Sequence, residues 1–214
     1  MSNYKITFQI KTPVSFQDTI MFDGIVAYAY AQDQMKGVRG QAQKLSYSKD
    51  ELIDFSSMPI IKHEDGYFMA SWMFYEMDEM VEYLGSWKKR WANEHDHLSD
   101  FGKQKRKVRV DAANFKSYDV PIRLVDISEC WFFFQSQNVQ EVERLLSKHV
   151  VGIGKKIAQG NGLIKSFEIE ELQHNPFDEL IRPIPTIKRG DNVRFTGYYP
   201  PYWMSENQGF CLVY

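Results

Sequence analysis

Residues 150–165 read V-V-G-I-G-K-K-I-A-Q-G-N-G-L-I-K, so that Gly152, Gly154, Gly160 and Gly162 frame Lys155 and Lys156. Glycine lets backbone amides approach a ligand closely and take positive φ, so successive N–H groups can converge on an anion. The two lysines add charge at the same place, and Lys165 follows on the exit. The combination suits phosphate, and an extended phosphate backbone better than a single nucleotide. It is not a nucleoside-triphosphate loop, which needs G-x-x-x-x-G-K-[ST] and a hydroxyl for magnesium; Ile157 follows the lysines here. Nor is it G-x-G-x-x-G, because Ile157 stands at the third glycine position. The plainer reading is a flexible turn with two solvated lysines.

A second basic concentration lies upstream. Between Lys88 and Lys116 nine basic residues stand against four acidic ones, in a chain whose net charge is −2. Lys103, Lys105, Arg106, Lys107 and Arg109 fall within seven positions. Such a cluster repels itself, and a bound polyanion relieves that repulsion. Trp87, Trp91, Phe101 and Phe115 flank it, as stacking partners for bases or as packing anchors. The plainer reading is a solvated hairpin. His95 and His97 flank Asp96 without a third metal ligand at a recognisable spacing, so neither a metal nor a cofactor is expected. His149, just before the glycine loop, could serve as a general base on a ribose 2′-hydroxyl; otherwise it caps a helix end or packs.

The elements that must position these residues are partly readable. Tyr4, Ile6, Phe8 and Ile10 alternate with polar residues, which predicts a half-buried strand ended by Pro13. Phe22, Ile25, Val26, Ala29 and Tyr30 share one helical face, with Asp23 a candidate cap. Residues 131–134, W-F-F-F, form a continuous apolar run that predicts a buried strand. Asn138 and Glu141 have capping-box spacing before a helix carrying Val142, Leu145 and Leu146, with Gly152 expected just past its end. Leu163, Lys165, Phe167 and Ile169 predict one face of a further strand. This strand–helix, strand–helix–strand succession implies an α+β, ferredoxin-like split β-α-β core. The expected single domain has its core at 1–75 and 118–172, a thumb-like basic insert at 76–117, and an extended Pro- and aromatic-rich tail at 173–214.

Composition is that of an ordinary globular chain, 43% apolar and 25% charged, although 15% aromatic is rich. Cys130 and Cys211 make no disulfide or metal pattern, which fits a reducing compartment. No signal sequence or long apolar run is visible, so a cytoplasmic location without membrane contact is expected.

The ordered set of motifs resembles the CRISPR-associated RAMP superfamily, and within it the Csf subunit of type IV effector complexes that caps the 5′ end of the guide RNA. The set comprises K-T-P-V at 11–14, F-D-G-I-V-A-Y at 22–28, F-K-S-Y at 115–118, W-F-F-F, V-E-R-L-L at 142–146, the glycine loop, R-P-I-P at 182–185 and Y-P-P-Y-W at 199–203. The resemblance implies a non-catalytic RNA-binding subunit with an RRM-like core. Gly152, Gly154, Lys155, Lys156, Gly160, Gly162 and Lys165 would then line the phosphates of the guide-RNA (crRNA) 5′ handle. Lys103, Lys105, Arg106, Lys107 and Arg109 would meet RNA or the adjacent backbone subunit. Further implied partners are the large subunit and, through the complex, target DNA. No contact is assigned to Arg182 or Tyr202. The alternatives are a metal-independent precursor-RNA endoribonuclease of the same superfamily using His149, and a protein–protein adaptor.

Overall fold

Alternation of apolar and polar residues makes Ser2–Ile10 (β1) a strand with one inward face, on which Ile6 and Phe8 are fully buried. It is the middle strand of an antiparallel sheet, between Glu129–Ser136 (β4) and Ile164–Leu172 (β5). The computed structural model describes residues 2–16, 19–34, 53–76, 81–89, 118–188 and 190–213. The chain is a mixture of two helices and eight strands among these residues, and the strands pair antiparallel.

The two helices, Phe22–Gln34 (α1) and Val139–His149 (α2), lie on one face of this sheet. Phe22 packs on Phe132 and Phe134 at ring separations of 5.4 and 4.9 Å, and Phe8 meets Phe132 at 5.9 Å. Val142, Leu145 and Leu146 complete the core from α2. The W-F-F-F run divides between two faces: Phe132 and Phe134 are buried, whereas Trp131 and Phe133 point to the opposite side and stay half-buried. The apolar run is therefore continuous because both faces carry rings, not because both are buried.

Residues 69–74 run along the outer edge of β4. Bridges join Ala70 to Phe134 and Phe74 to Trp131, and Ser71 N donates to Phe133 O at 2.8 Å. The order across this layer is thus 69–74, β4, β1, β5.

Two strands leave this layer as a ribbon, Val81–Lys89 (β2) and Tyr118–Asp126 (β3), paired residue for residue along their length. The return strand lies beyond the insert boundary expected at 117. Glu82 accepts two hydrogen bonds from Arg123, at 2.8 and 2.9 Å, across the ribbon. Its root is fastened by reciprocal backbone bonds between Val14 and Val125, at 2.8 and 2.9 Å. The residues between the two strands lie outside those described.

The tail differs from its expected extended form. Ile184–Pro185 (β6), Val193–Gly197 (β7) and Gln208–Leu212 (β8) make a small sheet in the order β6-β8-β7, with Cys211 buried behind it. Prolines at 183, 185, 200 and 201 keep its strands short and close its turns. No described helix is long and apolar enough to cross a membrane.

Candidate nucleic-acid interface

Asn138 caps α2 as its spacing predicts, accepting from Glu141 N at 3.1 Å. The Glu141 side chain turns instead to Arg144, at 2.7 and 2.8 Å, so the capping box is half made. The helix closes at Val150, and Gly152 is not the left-handed residue expected there. Gly152 pairs with Leu163, and Ile153 N donates to Gly162 O at 2.9 Å. These pairs form a narrow neck that leaves 154–161 as a closed loop. Close approach explains two of the glycines: a Cβ on Gly152 would stand 2.7 Å from Gly162 O, and one on Gly162 only 2.0 Å from Ile153 O.

The loop is clamped to the segment that follows β1. Thr12 Oγ1 donates to Gly160 O at 2.6 Å and accepts from Leu163 N at 2.9 Å. Gly162 N donates to Pro13 O at 2.8 Å, and Lys155 N to Ser15 O at 2.6 Å. Gly154, at φ 86°, would push a Cβ to 2.6 Å from Ser15 O. The amides of Ile153, Lys155, Gly160, Gly162 and Leu163 are therefore satisfied inside the protein. What the loop offers a ligand is chiefly side-chain charge.

That charge stands on an unusual turn. Residues Ile157–Gln159 form a 3-10 turn with left-handed backbone at both ends, Lys156 at φ 61° and Gly160 at φ 89°. Lys156 is the one described non-glycine residue with positive φ, a conformation in which the Cβ of an L-residue crowds the backbone. Lys155 is exposed and Lys156 half-buried. Lys165 is exposed because β1 and β5 slip register between Gln9 and Ile10, which turns Ile164 toward the core and its neighbour outward. Lys11, not anticipated from the sequence, joins this group: it is exposed, and its backbone N donates to Leu163 O at 2.8 Å. Its signal was the K-T-P-V motif itself. Lys103, Lys105, Arg106, Lys107 and Arg109, with His95 and His97, lie outside the described residues.

His149 is engaged elsewhere. Its Nε2 sits 3.0 Å from Asp33 Oδ1, and the same carboxylate binds Lys148 Nζ at 2.7 Å and Arg144 at 2.8 and 3.3 Å. The bonds from Arg144, Lys148 and His149 hold the Asp33 carboxyl far below the usual carboxylate range. This cluster fastens the last turn of α1 to α2.

A second polar cluster is deeply buried. Asp23 is not a cap but a fully buried residue inside the first turn of α1. Its carboxylate accepts from the Tyr202 hydroxyl, from Gly24 N at 3.1 Å, and from Arg182 at 3.5 Å. Arg182, 1% exposed, also donates to Ala70 O at 3.1 Å and Tyr198 O at 2.7 Å, and lies 4.7 Å above the Tyr67 ring. Burial pushes the Asp23 carboxyl upward against the opposing pull of Arg182. The F-D-G, R-P-I-P and Y-P-P-Y-W motifs, far apart in sequence, meet here. Their joint role is to lock the C-terminal sheet onto α1.

None of the curated proteins compared matches this chain. The family model described as CRISPR type IV associated protein Csf3 matches residues 2–214, essentially the whole sequence. With its motifs gathered around a clamped loop and a buried latch, the chain belongs to the Csf3 family of type IV CRISPR associated proteins.

Proposed function

We propose that this chain is a non-catalytic, crRNA-binding subunit of a cytoplasmic type IV CRISPR ribonucleoprotein, capping the 5′ handle of the guide RNA. Family membership supports a place in the type IV complex. The order 69–74, β4, β1, β5 with both helices on one face supports a ferredoxin-like, RAMP-type core. The observation that carries the RNA reading is the clamped loop, whose closed neck carries the exposed Lys155 and the half-buried Lys156, with Lys11 and Lys165 beside it. A preorganised group of lysines suits successive phosphates of a single strand. The ribbon, rooted on the same 12–15 segment, would carry the basic cluster to RNA or to the adjacent backbone subunit. Large-subunit contact, and target DNA through the complex, belong to the same reading.

The absence of catalysis is proposed from the setting of His149. A base needs a free lone pair over the scissile ribose, whereas this imidazole belongs to a helix-joining cluster with Arg144 and Lys148. The test is incubation of the purified chain with end-labelled repeat RNA in EDTA, resolved on native and denaturing gels. A shifted, intact RNA is expected. Cleavage would instead make the chain a metal-independent endoribonuclease, and His149→Ala the next variant. Neither a shift nor cleavage would remove RNA capture by the isolated chain. Lys155→Ala/Lys156→Ala should weaken binding and flatten its salt dependence, by about 0.7 in log–log slope for each phosphate no longer neutralised. An unchanged slope would take the loop out of the site.

A further inference from the structure

The face of the central sheet turned away from the helices has two unlike halves. On one side Trp131, Phe133 and Phe74 lie half-buried in mutual contact, with Phe74 6.2 Å from Trp131 and 5.4 Å from Phe133. On the other side β5 presents Glu168 and Glu170, both exposed. The register sets these groups in rows across the strands. One row reads Trp131, Thr7, Glu168; the next reads Phe133, Lys5, Glu170. Lys5 fills the second row, 5.5 Å from the Trp131 ring centre and 3.6 Å from Glu170. In the first row the short, half-buried Thr7 stands between an indole and a carboxylate, with no side chain long enough to bridge them. Strand spacing makes that row roughly 10 Å wide.

We propose that this face docks a basic segment of a protein partner, with an arginine of that segment seated over Thr7. Its planar guanidinium would stack on Trp131 and pair with Glu168, as the Lys5 ammonium already does between Trp131 and Glu170 in the neighbouring row. Charge selects this occupant over nucleic acid. Among the described residues, the three paired strands of this face carry the carboxylates of Glu129, Glu168 and Glu170 against Lys5 and, at the bulged end of β5, Lys165, so carboxylates outnumber cations. A phosphate chain laid here would meet net repulsion; a basic peptide would be attracted. The inference rests on the reading of the chain as a subunit of a multi-protein complex, but not on its RNA contacts.

The test places photoreactive p-benzoylphenylalanine at position 7 in the assembled complex and identifies what it captures. The expected product is a crosslink to another protein subunit through an Arg- or Lys-containing peptide. Capture of guide RNA, capture of a second copy of this chain, or no capture overturns the proposal. In parallel, Thr7→Arg and Glu168→Gln/Glu170→Gln should each lower retention of the chain in the complex about tenfold. Both should leave the melting temperature and the RNA affinity of the isolated chain unchanged. Full retention of both variants sinks the docking surface while leaving the RNA reading intact. Loss of RNA binding in Lys155→Ala/Lys156→Ala tests the other site separately.

Discussion

Gly160 and Gly162 stand on the same turn and answer to different constraints. A Cβ at 162 would collide with Ile153 O, so Gly162→Ala must open the neck, at a cost of about 2–3 kcal/mol. A Cβ at 160 meets nothing within 4 Å, and Gly160→Ala bears only the left-handed backbone penalty, about 1–2 kcal/mol. Chemical denaturation of the two variants should rank them in that order, and RNA affinity should fall for Gly162→Ala alone. Lys156 permits a cleaner separation. Lys156→Gly removes the charge and the left-handed strain together, and strain relief of about 1 kcal/mol roughly offsets the greater freedom of glycine when unfolded. Stability should hold while RNA binding weakens, as judged by denaturant midpoint and gel shift. The lysines and glycines were legible as a loop. The division of labour among the glycines was not, because it depends on contacts that only the closed loop makes: Gly162 against Ile153 O across the neck, and Gly154 against Ser15 O far upstream in the chain.

Among the elements, β1, α2 and its Asn138 cap were readable because their signals are local: a period of two, a period of 3.6, and a side chain three residues from its partner amide. What escaped reading depended on neighbours. The register slip between β1 and β5 reverses the parity of Ile164 and Lys165, and no alternation pattern in one strand reports a bulge against another. Asp33, near the end of α1, carries no local signal for its role, which is to join α1 to α2 through Arg144, Lys148 and His149. Asp33→Asn should lower the melting temperature at neutral pH. Because the folded carboxyl titrates below its ordinary value of 3.8, its stabilisation is complete above that pH and is lost as pH falls below it. The gap in melting temperature between Asp33→Asn and the parent should therefore narrow below about pH 3.8. A gap constant down to pH 2 would mean that shape, not charge, holds the helices.

For the molecule as a whole, the buried latch decides whether the C-terminal sheet stays attached. Arg182→Met strips Asp23 of its cation in a fully buried site, and such a broken pair costs about 3–5 kcal/mol. Arg182→Lys should recover little, since one ammonium cannot span Asp23, Ala70 O and Tyr198 O as the guanidinium does. Urea unfolding of both variants checks this. The three motifs that meet at the latch were visible as motifs, but the reading of the tail as extended left no reason to expect a sheet behind them. The 12–15 segment holds more than one part at once. It grips the glycine loop through Thr12, Pro13 and Ser15, and the ribbon root through Val14. Thr12 and Leu163 are 151 residues apart, and β1 itself waits for β4 and β5 before it has neighbours. During synthesis the chain emerges from its N-terminus. The lysine turn therefore has no clamp until Leu163 has been made, 151 residues after Thr12. A nascent chain stalled before residue 150 would carry the complete basic stretch around position 105 but no assembled loop, so the two basic regions become available at different stages of synthesis.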